Sequence, residues 1–448
     1  MRIGGLVVAG CLISASVAHA QPVHLNPDQV PGAALEAEPP EVDVLTFGVG
    51  VPIFEKFGHT ALCLRYHERA HPGVCFNYGV TDFARTDAMV WSFLRGEQKF
   101  WVEPTSRASM MSFYESEDRD IWVQTLPPNT DTRALEAALW ANLDDDKRFY
   151  NYDHFFDNCT TRLRDLIDPA THGALRRGTD VRYPVTFRNI ARPGLAETPA
   201  LLALSDLMTG RRIDAYPTVW QAMFHPTIFR QQLEIQLGAV PRQLYRRQGP
   251  AFPAEVGSTG RLGLLAIGLA FAIPLLVAQW RRRFERTALA WVTFELVMLG
   301  TLVWGLAIFS SIPAIRYNEA VFVVMPLDLA LPFLGAAGRR RYALLRVGLL
   351  VVVSLLAALG VFHQPLWMLI VIVFVPMLTI AGDLPHGLGA HVDPVPAVAS
   401  DGAAALALPG LAAAEPGMRL GVVARAPAAA ALPPSAPIAT DDVSPDLN

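Results

Sequence analysis

Apolar and polar positions divide the chain into unlike stretches. Behind Arg2 an apolar run ends in the small-x-small tripeptide Ala18-His19-Ala20. That is the pattern of a secretory signal peptide over residues 1–20, cleaved after Ala20. Val8-Ala9-Gly10-Cys11 offers a competing lipoprotein-type processing site, although the apolar run before Cys11 is short and continues beyond it. Residues 21–40 read as a Pro-rich linker, with Asn26-Pro27 and Glu38-Pro39-Pro40. From 41 to 250 the apolar positions come in short runs. Val42–Gly48, Thr60–Tyr66 and Val74–Val80 have the β-branched and aromatic character of strands. A turn-rich segment between the last two predicts a hairpin. Thr132–Leu143 and Cys159–Ile167 carry apolar residues at helical spacing, and residues 199–237 read as mostly helical with an interruption at Gly210. The domain is therefore expected to be α+β.

Five apolar stretches follow within 262–382: Leu262–Trp280, Ala288–Ser310, Ala320–Ala337, Leu344–Phe362 and Leu366–Gly382. Each approaches the ~20 residues that cross a bilayer as a helix, so the pattern predicts a five-helix transmembrane bundle. Arg281, Arg282, Arg283 and Arg286 follow the first stretch, and Arg339, Arg340, Arg341 and Arg346 follow the third. The alternate loops are almost free of basic residues. By the positive-inside rule the Arg clusters are cytoplasmic and residues 21–261 are exported, in agreement with the signal peptide. Residues 385–448 are Ala/Pro-rich with few aromatics and read as a disordered cytoplasmic tail.

Composition fits this partition. The chain is 52% hydrophobic and 17% charged, where a soluble protein carries about a quarter charged residues. A net charge of −4 leaves no basic footprint for nucleic acid.

After signal cleavage three cysteines remain, Cys63, Cys75 and Cys159. An oxidising compartment favours pairing two of them. Cys63 and Cys75 are equidistant from residue 69 in the hairpin turn, which makes them the disulfide candidate and leaves Cys159 as the odd thiol. Asp157 and Asn158 are good N-cap residues, which puts Cys159 in the first turn of a helix. There the partial positive charge lowers a thiol's pKa, and free backbone N–H groups can hold an oxyanion. A small apolar filler is the competing reading of Cys159. A thiolate needs a base, and His59 stands at the entry to the first hairpin strand. With Cys63 opposite Cys75, strand alternation puts His59, Ala61, Cys63, Cys75 and Asn77 on one face. Asn77 then lies diagonally from His59 and can hold its tautomer, or it makes an ordinary strand-end hydrogen bond. His67, His71, His154 and Asp153 match no metal-ligand spacing, so no metal and no cofactor is expected.

Four segments together resemble the Lnb-type lipoprotein N-acyltransferases: Phe57-Gly-His-Thr-Ala, Phe76-Asn-Tyr-Gly, the run from Tyr152 to Asp165 containing Asp157-Asn-Cys-Thr-Thr-Arg, and Arg316-Tyr-Asn-Glu with Pro326-Leu-Asp. The resemblance spans roughly residues 41–380, and the Ala/Pro tail has no counterpart in it. It implies a circularly permuted papain-like fold of the lecithin:retinol acyltransferase type. It further implies Cys159 as nucleophile, His59 as base, a phospholipid acyl donor, a diacylglyceryl-lipoprotein acceptor, and a multi-pass protein of the bacterial inner membrane with a periplasmic catalytic domain. In that frame Arg316 would engage a lipid phosphate and Asn318 a headgroup or lipopeptide backbone, against ordinary interfacial loop polarity. Glu295 and Asp328, inside apolar stretches, are costly to bury unpaired and so are functional or pairing candidates. Two rival readings are a papain-like cell-wall peptidase or amidase and a non-enzymatic membrane sensor. The five apolar stretches count against the first.

Overall fold

The computed structural model describes residues 38–51, 55–67, 73–81, 86–252 and 259–382; the signal peptide, most of the linker and the Ala/Pro tail lie outside the described residues. The strands are β1 (Glu41–Phe47), β2 (His59–Arg65), β3 (Val74–Val80), β4 (Lys99–Ser106), β5 (Ile121–Thr125), β6 (Phe149–Asn151) and β7 (Arg242–Tyr245). They form one antiparallel sheet in the order β6-β4-β3-β2-β1-β5-β7. Interleaved with them are α1 (Thr86–Arg95), α2 (Arg107–Ser116), α3 (Thr132–Ala141), α4 (Cys159–Ala170), α5 (Phe187–Ala191), α6 (Pro199–Met208), α7 (Val219–Ala222) and α8 (Pro226–Leu237). The domain these elements form is thus α+β.

Strands β1 to β3 are buried on both faces, which explains why they read as continuous apolar runs rather than alternating ones. Leu62, Leu64, Phe76 and Tyr78 pack with Leu163 and Ile167 of α4 on one side. Leu45, Phe47, Ala61, Cys63 and Cys75 pack with Met110 and Tyr114 of α2 on the other. The β2–β3 register sets Cys63 opposite Cys75, and the two are joined by a disulfide.

The apolar half comprises α9 (Thr259–Arg281), α10 (Glu285–Phe309), the single turn α11 (Pro313–Arg316), α12 (Ala336–Ala358) and α13 (Trp367–Gly382). Three of these, α9, α10 and α12, are long and apolar enough to cross a membrane; α13 is apolar but has 16 residues. The expected five-helix bundle needs correction at its third member. Ala320–Ala337 is not an α-helix but two 3-10 segments, Glu319–Phe322 and Pro326–Phe333. Pro326 and Pro332 remove amide donors that an α-helix would need. The irregular backbone is held by neighbours instead. Trp304 Nε1 of α10 donates to the carbonyls of Val321 and Val324, and Arg346 of α12 donates to Val323. Non-helical backbone in an apolar layer is tolerated when protein groups satisfy it in this way. Asp328, singled out from its cost of burial, is fully buried and paired: Arg346 and Tyr342 both donate to its carboxylate, at 2.9 and 2.7 Å. Glu295 is buried in α10 with one carboxylate oxygen lacking a partner among the described residues.

Domain and bundle are clasped together where α6 ends. Gly210 N and Arg211 N donate to the carbonyls of Ala314 and Tyr317, and Arg211 pairs with Glu319 at 3.3 Å. At a second contact Ser311 N donates to Arg95 O at the end of α1.

Candidate active site

Cys159 is the first residue of α4, and the helix starts there because Asn158 caps it. Asn158 Oδ1 accepts from Thr160 N and Thr161 N at 2.9 Å each, while Thr161 Oγ1 accepts from Asn158 N. This capping box is the local reason the thiol sits at a helix terminus. It also narrows the expected oxyanion site: two first-turn amides are spent on the cap, which leaves that of Cys159.

Strand β2 delivers the partner. Thr60 Oγ1 and Thr160 Oγ1 hydrogen-bond at 2.6 Å, fastening the start of β2 to the start of α4. One residue before each threonine, His59 and Cys159 line the same cavity and each shifts the other's ionisation. His59 Nε2 donates to Asn77 Oδ1 at 2.7 Å, so Nδ1 is left to exchange a proton with the sulfur. The imidazole lies beside the stacked rings of Phe47 and Tyr114, with each centroid 6.0 Å away. His59, Asn77 and Cys159 are thus brought together from two strands and a helix.

The electrostatics follow from these contacts. Burial pushes the Cys159 thiol up, but the charge and hydrogen bond of His59, the Thr60 backbone N–H and the Thr160 hydroxyl outweigh it and bring the thiol down to about 7. For His59, burial opposes the charged form, yet the Cys159 thiolate more than compensates and the imidazole is raised above its ordinary value. Each group stabilises the charge on the other, which favours a thiolate–imidazolium pair.

A cavity opens beside the thiol, with apolar walls from Phe57, Phe100, Phe224 and Pro226 and polar edges from Tyr152, His154 and His225. Gly79, with φ +96°, closes the corner: a Cβ there would lie 3.9 Å from both Cys159 Cβ and His59 Cε1. Phe224, His225 and Pro226 were not anticipated, since nothing in the spacing links them to Cys159. Tyr152 and His154 stand in the segment that carries the thiol, but the sequence marks them only as members of that motif. Asp153 Oδ1 accepts from Phe155 N and Phe156 N, shaping the turn into Asn158.

Arg316 and Asn318 are elsewhere and do not line this cavity. Arg316 is exposed beside the clasp. The substrate role expected for Asn318 is corrected by its bonding. The side chain is buried, Nδ2 donates to Leu207 O and Met208 O, and Oδ1 accepts from Ala320 N and Gln364 Nε2. With both donors and both lone pairs engaged, Asn318 holds domain and bundle together.

Residues 36–193 match the family described as the Lnb N-terminal periplasmic domain. No curated protein and no solved structure gives a significant match. The stretch that carries His59, Asn77 and Cys159 is therefore similar to the Lnb N-terminal periplasmic domain, and it is followed by three helices long and apolar enough to cross a membrane.

Proposed function

We propose that this protein is a membrane-bound thiol acyltransferase that moves an acyl chain from a phospholipid, through a Cys159 thioester, to the N-terminal amine of a diacylglyceryl-lipoprotein. The observation that carries this reading is the Cys159–His59–Asn77 array, set in a phenyl-walled cavity on a domain clasped to an apolar bundle. His59 takes the thiol proton at Nδ1 while Asn77 holds Nε2–H, and the thiolate attacks the ester carbonyl. Collapse of the tetrahedral intermediate breaks the ester C–O bond, and the leaving lysophospholipid oxygen takes the proton from His59. The lipoprotein amine then attacks the thioester, yields its proton to His59, and releases the thiolate. Apolar walls suit an acyl chain better than a polar peptide, which favours this reading over a cell-wall peptidase. The order His on a strand, Asn on the next, Cys opening a helix supports a permuted papain-like arrangement. Exposed Arg316 is available to a lipid phosphate near the bacterial inner-membrane surface.

Mass spectrometry of lipoprotein N-termini, in cells where this protein is the sole N-acyltransferase, tests the proposal. Cys159→Ala is expected to lower N-acylated product at least about 1000-fold, as loss of a nucleophile does. Undiminished N-acylation in that strain would overturn it.

A further inference from the structure

The acyl-transfer reading needs a second donor for the oxyanion, because Asn158 has consumed two of the amides at the helix terminus. A single amide is an incomplete oxyanion site. A fully buried donor without a partner among the described residues belongs to a residue of the cavity wall. His154 lines the cavity with Cys159, and its Nε2 is buried without a partner among the described residues. The Tyr150 hydroxyl is buried and unpartnered too, but Tyr150 does not form part of the wall.

The protonation of His154 is set by its neighbours. Tyr152 Oη lies 3.3 Å from His154 Nδ1, and with the phenol donating to the Nδ1 lone pair the ring proton stands on Nε2. Burial, with His225 nearby, depresses the imidazole to about 3, so the ring is neutral throughout the physiological range. A neutral N–H donor steadies a developing oxyanion without adding a charge that would trap the thiolate in its ground state.

Its position is tied to the nucleophile. Asn158, the residue that caps α4, also donates through Nδ2 to His154 O at 2.7 Å. One side chain thus fixes both the first turn that presents Cys159 and the backbone that presents His154. The ring is held against Phe57, with centroids 4.2 Å apart.

We propose that His154 is a catalytic residue of the acyl-transfer reaction, its Nε2–H forming the oxyanion hole together with the Cys159 backbone N–H. As the Cys159 thiolate bonds to the acyl carbon, the carbonyl π pair moves to oxygen and is held between these two donors. Its return re-forms the C=O bond and expels the leaving alkoxide, which His59 protonates. The inference rests on the acyl-transfer reading and adds to it the group that receives the negative charge.

The test uses the full chain in detergent micelles with two probes. The burst of nitrophenolate from 4-nitrophenyl butyrate reports acylation of Cys159, and iodoacetamide reports the same thiol through a displacement that builds no oxyanion. His154→Phe is expected to slow acylation about 100- to 1000-fold, the usual effect of removing one oxyanion donor. Alkylation should stay within about twofold, which also certifies that the site has folded. His154→Gln restores an N–H donor and is expected to recover at least about tenfold of the lost acylation rate. Acylation by His154→Phe at the wild-type rate would overturn the role of His154 alone, and so would parallel losses with both probes. Absence of any acyl adduct on wild-type Cys159, while iodoacetamide still reacts, would overturn the acyl-transfer reading and this inference with it.

Discussion

The corner around Cys159 and the clasp around Asn318 are both buried polar clusters, yet they use their hydrogen-bonding capacity in opposite ways. At the clasp Asn318 has both donors and both acceptor positions engaged, Glu319 Oε2 accepts from His363 N and Gln364 N, and Glu319 Oε1, which has no hydrogen bond among the described residues, faces the Arg211 guanidinium at 3.3 Å. At the corner the His154 Nε2 and Tyr150 hydroxyl go unpaired among the described residues, and the thiol and imidazole are held in mutually shifted states. A side chain as fully engaged as Asn318 fixes geometry, because any change strands a buried group. A cluster with groups held in reserve has capacity for something that arrives. Both segments look alike in sequence, each a short polar motif flanked by aromatic or apolar residues, and only the bonding tells them apart.

Gly210→Ala strikes this contrast hardest. The added Cβ would stand 2.1 Å from Tyr317 O and 2.4 Å from Tyr317 C, both backbone atoms that cannot swing aside. The clasp cannot close around it, and a loss above about 4 kcal/mol is expected, in the class reserved for severe overpacking. Thermal unfolding measures that loss, and limited proteolysis near residue 210 should expose the opened junction. A wild-type melting curve would refute the close approach on which the clasp depends.

Asn318→Leu sharpens the comparison with a milder perturbation. Shape is nearly conserved, but the carbonyls of Leu207 and Met208 and the amide of Ala320 lose their partner. About 3 kcal/mol of destabilisation is expected from stranding these groups, after partial relaxation. Cys159 should react with iodoacetamide as in the wild type, because Asn318 takes no part in its ionisation. Altered thiol reactivity at full stability would instead restore Asn318 to a role at the site.

What could be read in advance follows from how far the interactions reach. The hairpin register was legible because Cys63 and Cys75 are symmetric about residue 69, and strand alternation then carries His59 and Asn77 to the same face. The start of α4 was legible because Asn158 caps within three residues. By contrast Asn318 bonds to backbone carbonyls about 110 positions away, and a carbonyl has no residue identity for a pattern to detect. His225 and Phe224 reach the cavity from the junction of α7 and α8, with no periodicity connecting them to Cys159. The third apolar stretch was misjudged for a related reason: hydropathy measures what a segment is made of, not whether Pro326 and Pro332 let it close its own hydrogen bonds.

His59→Gln probes the corner with the smallest of the three perturbations. Only the thiolate reacts with iodoacetamide, so the rate rises with pH through the thiol's ionisation, and the wild-type inflection is expected near 7. Replacing the imidazole removes the charge that opposes the burial of Cys159, while the Thr60 amide and Thr160 hydroxyl stay. With burial then unopposed by a cation, the inflection should move up by about 2 units, past the ordinary thiol value of about 8.5. At pH 7 that corresponds to roughly a 50-fold loss of alkylation rate. The shift is upward because the lost partner stabilised the charged form of the thiol. An inflection that stays near 7 in His59→Gln would assign the thiolate to the helix terminus and its neighbouring donors instead. The corner would then resemble the clasp, with its electrostatics set by fixed hydrogen bonds rather than by a partner that can give and take a proton.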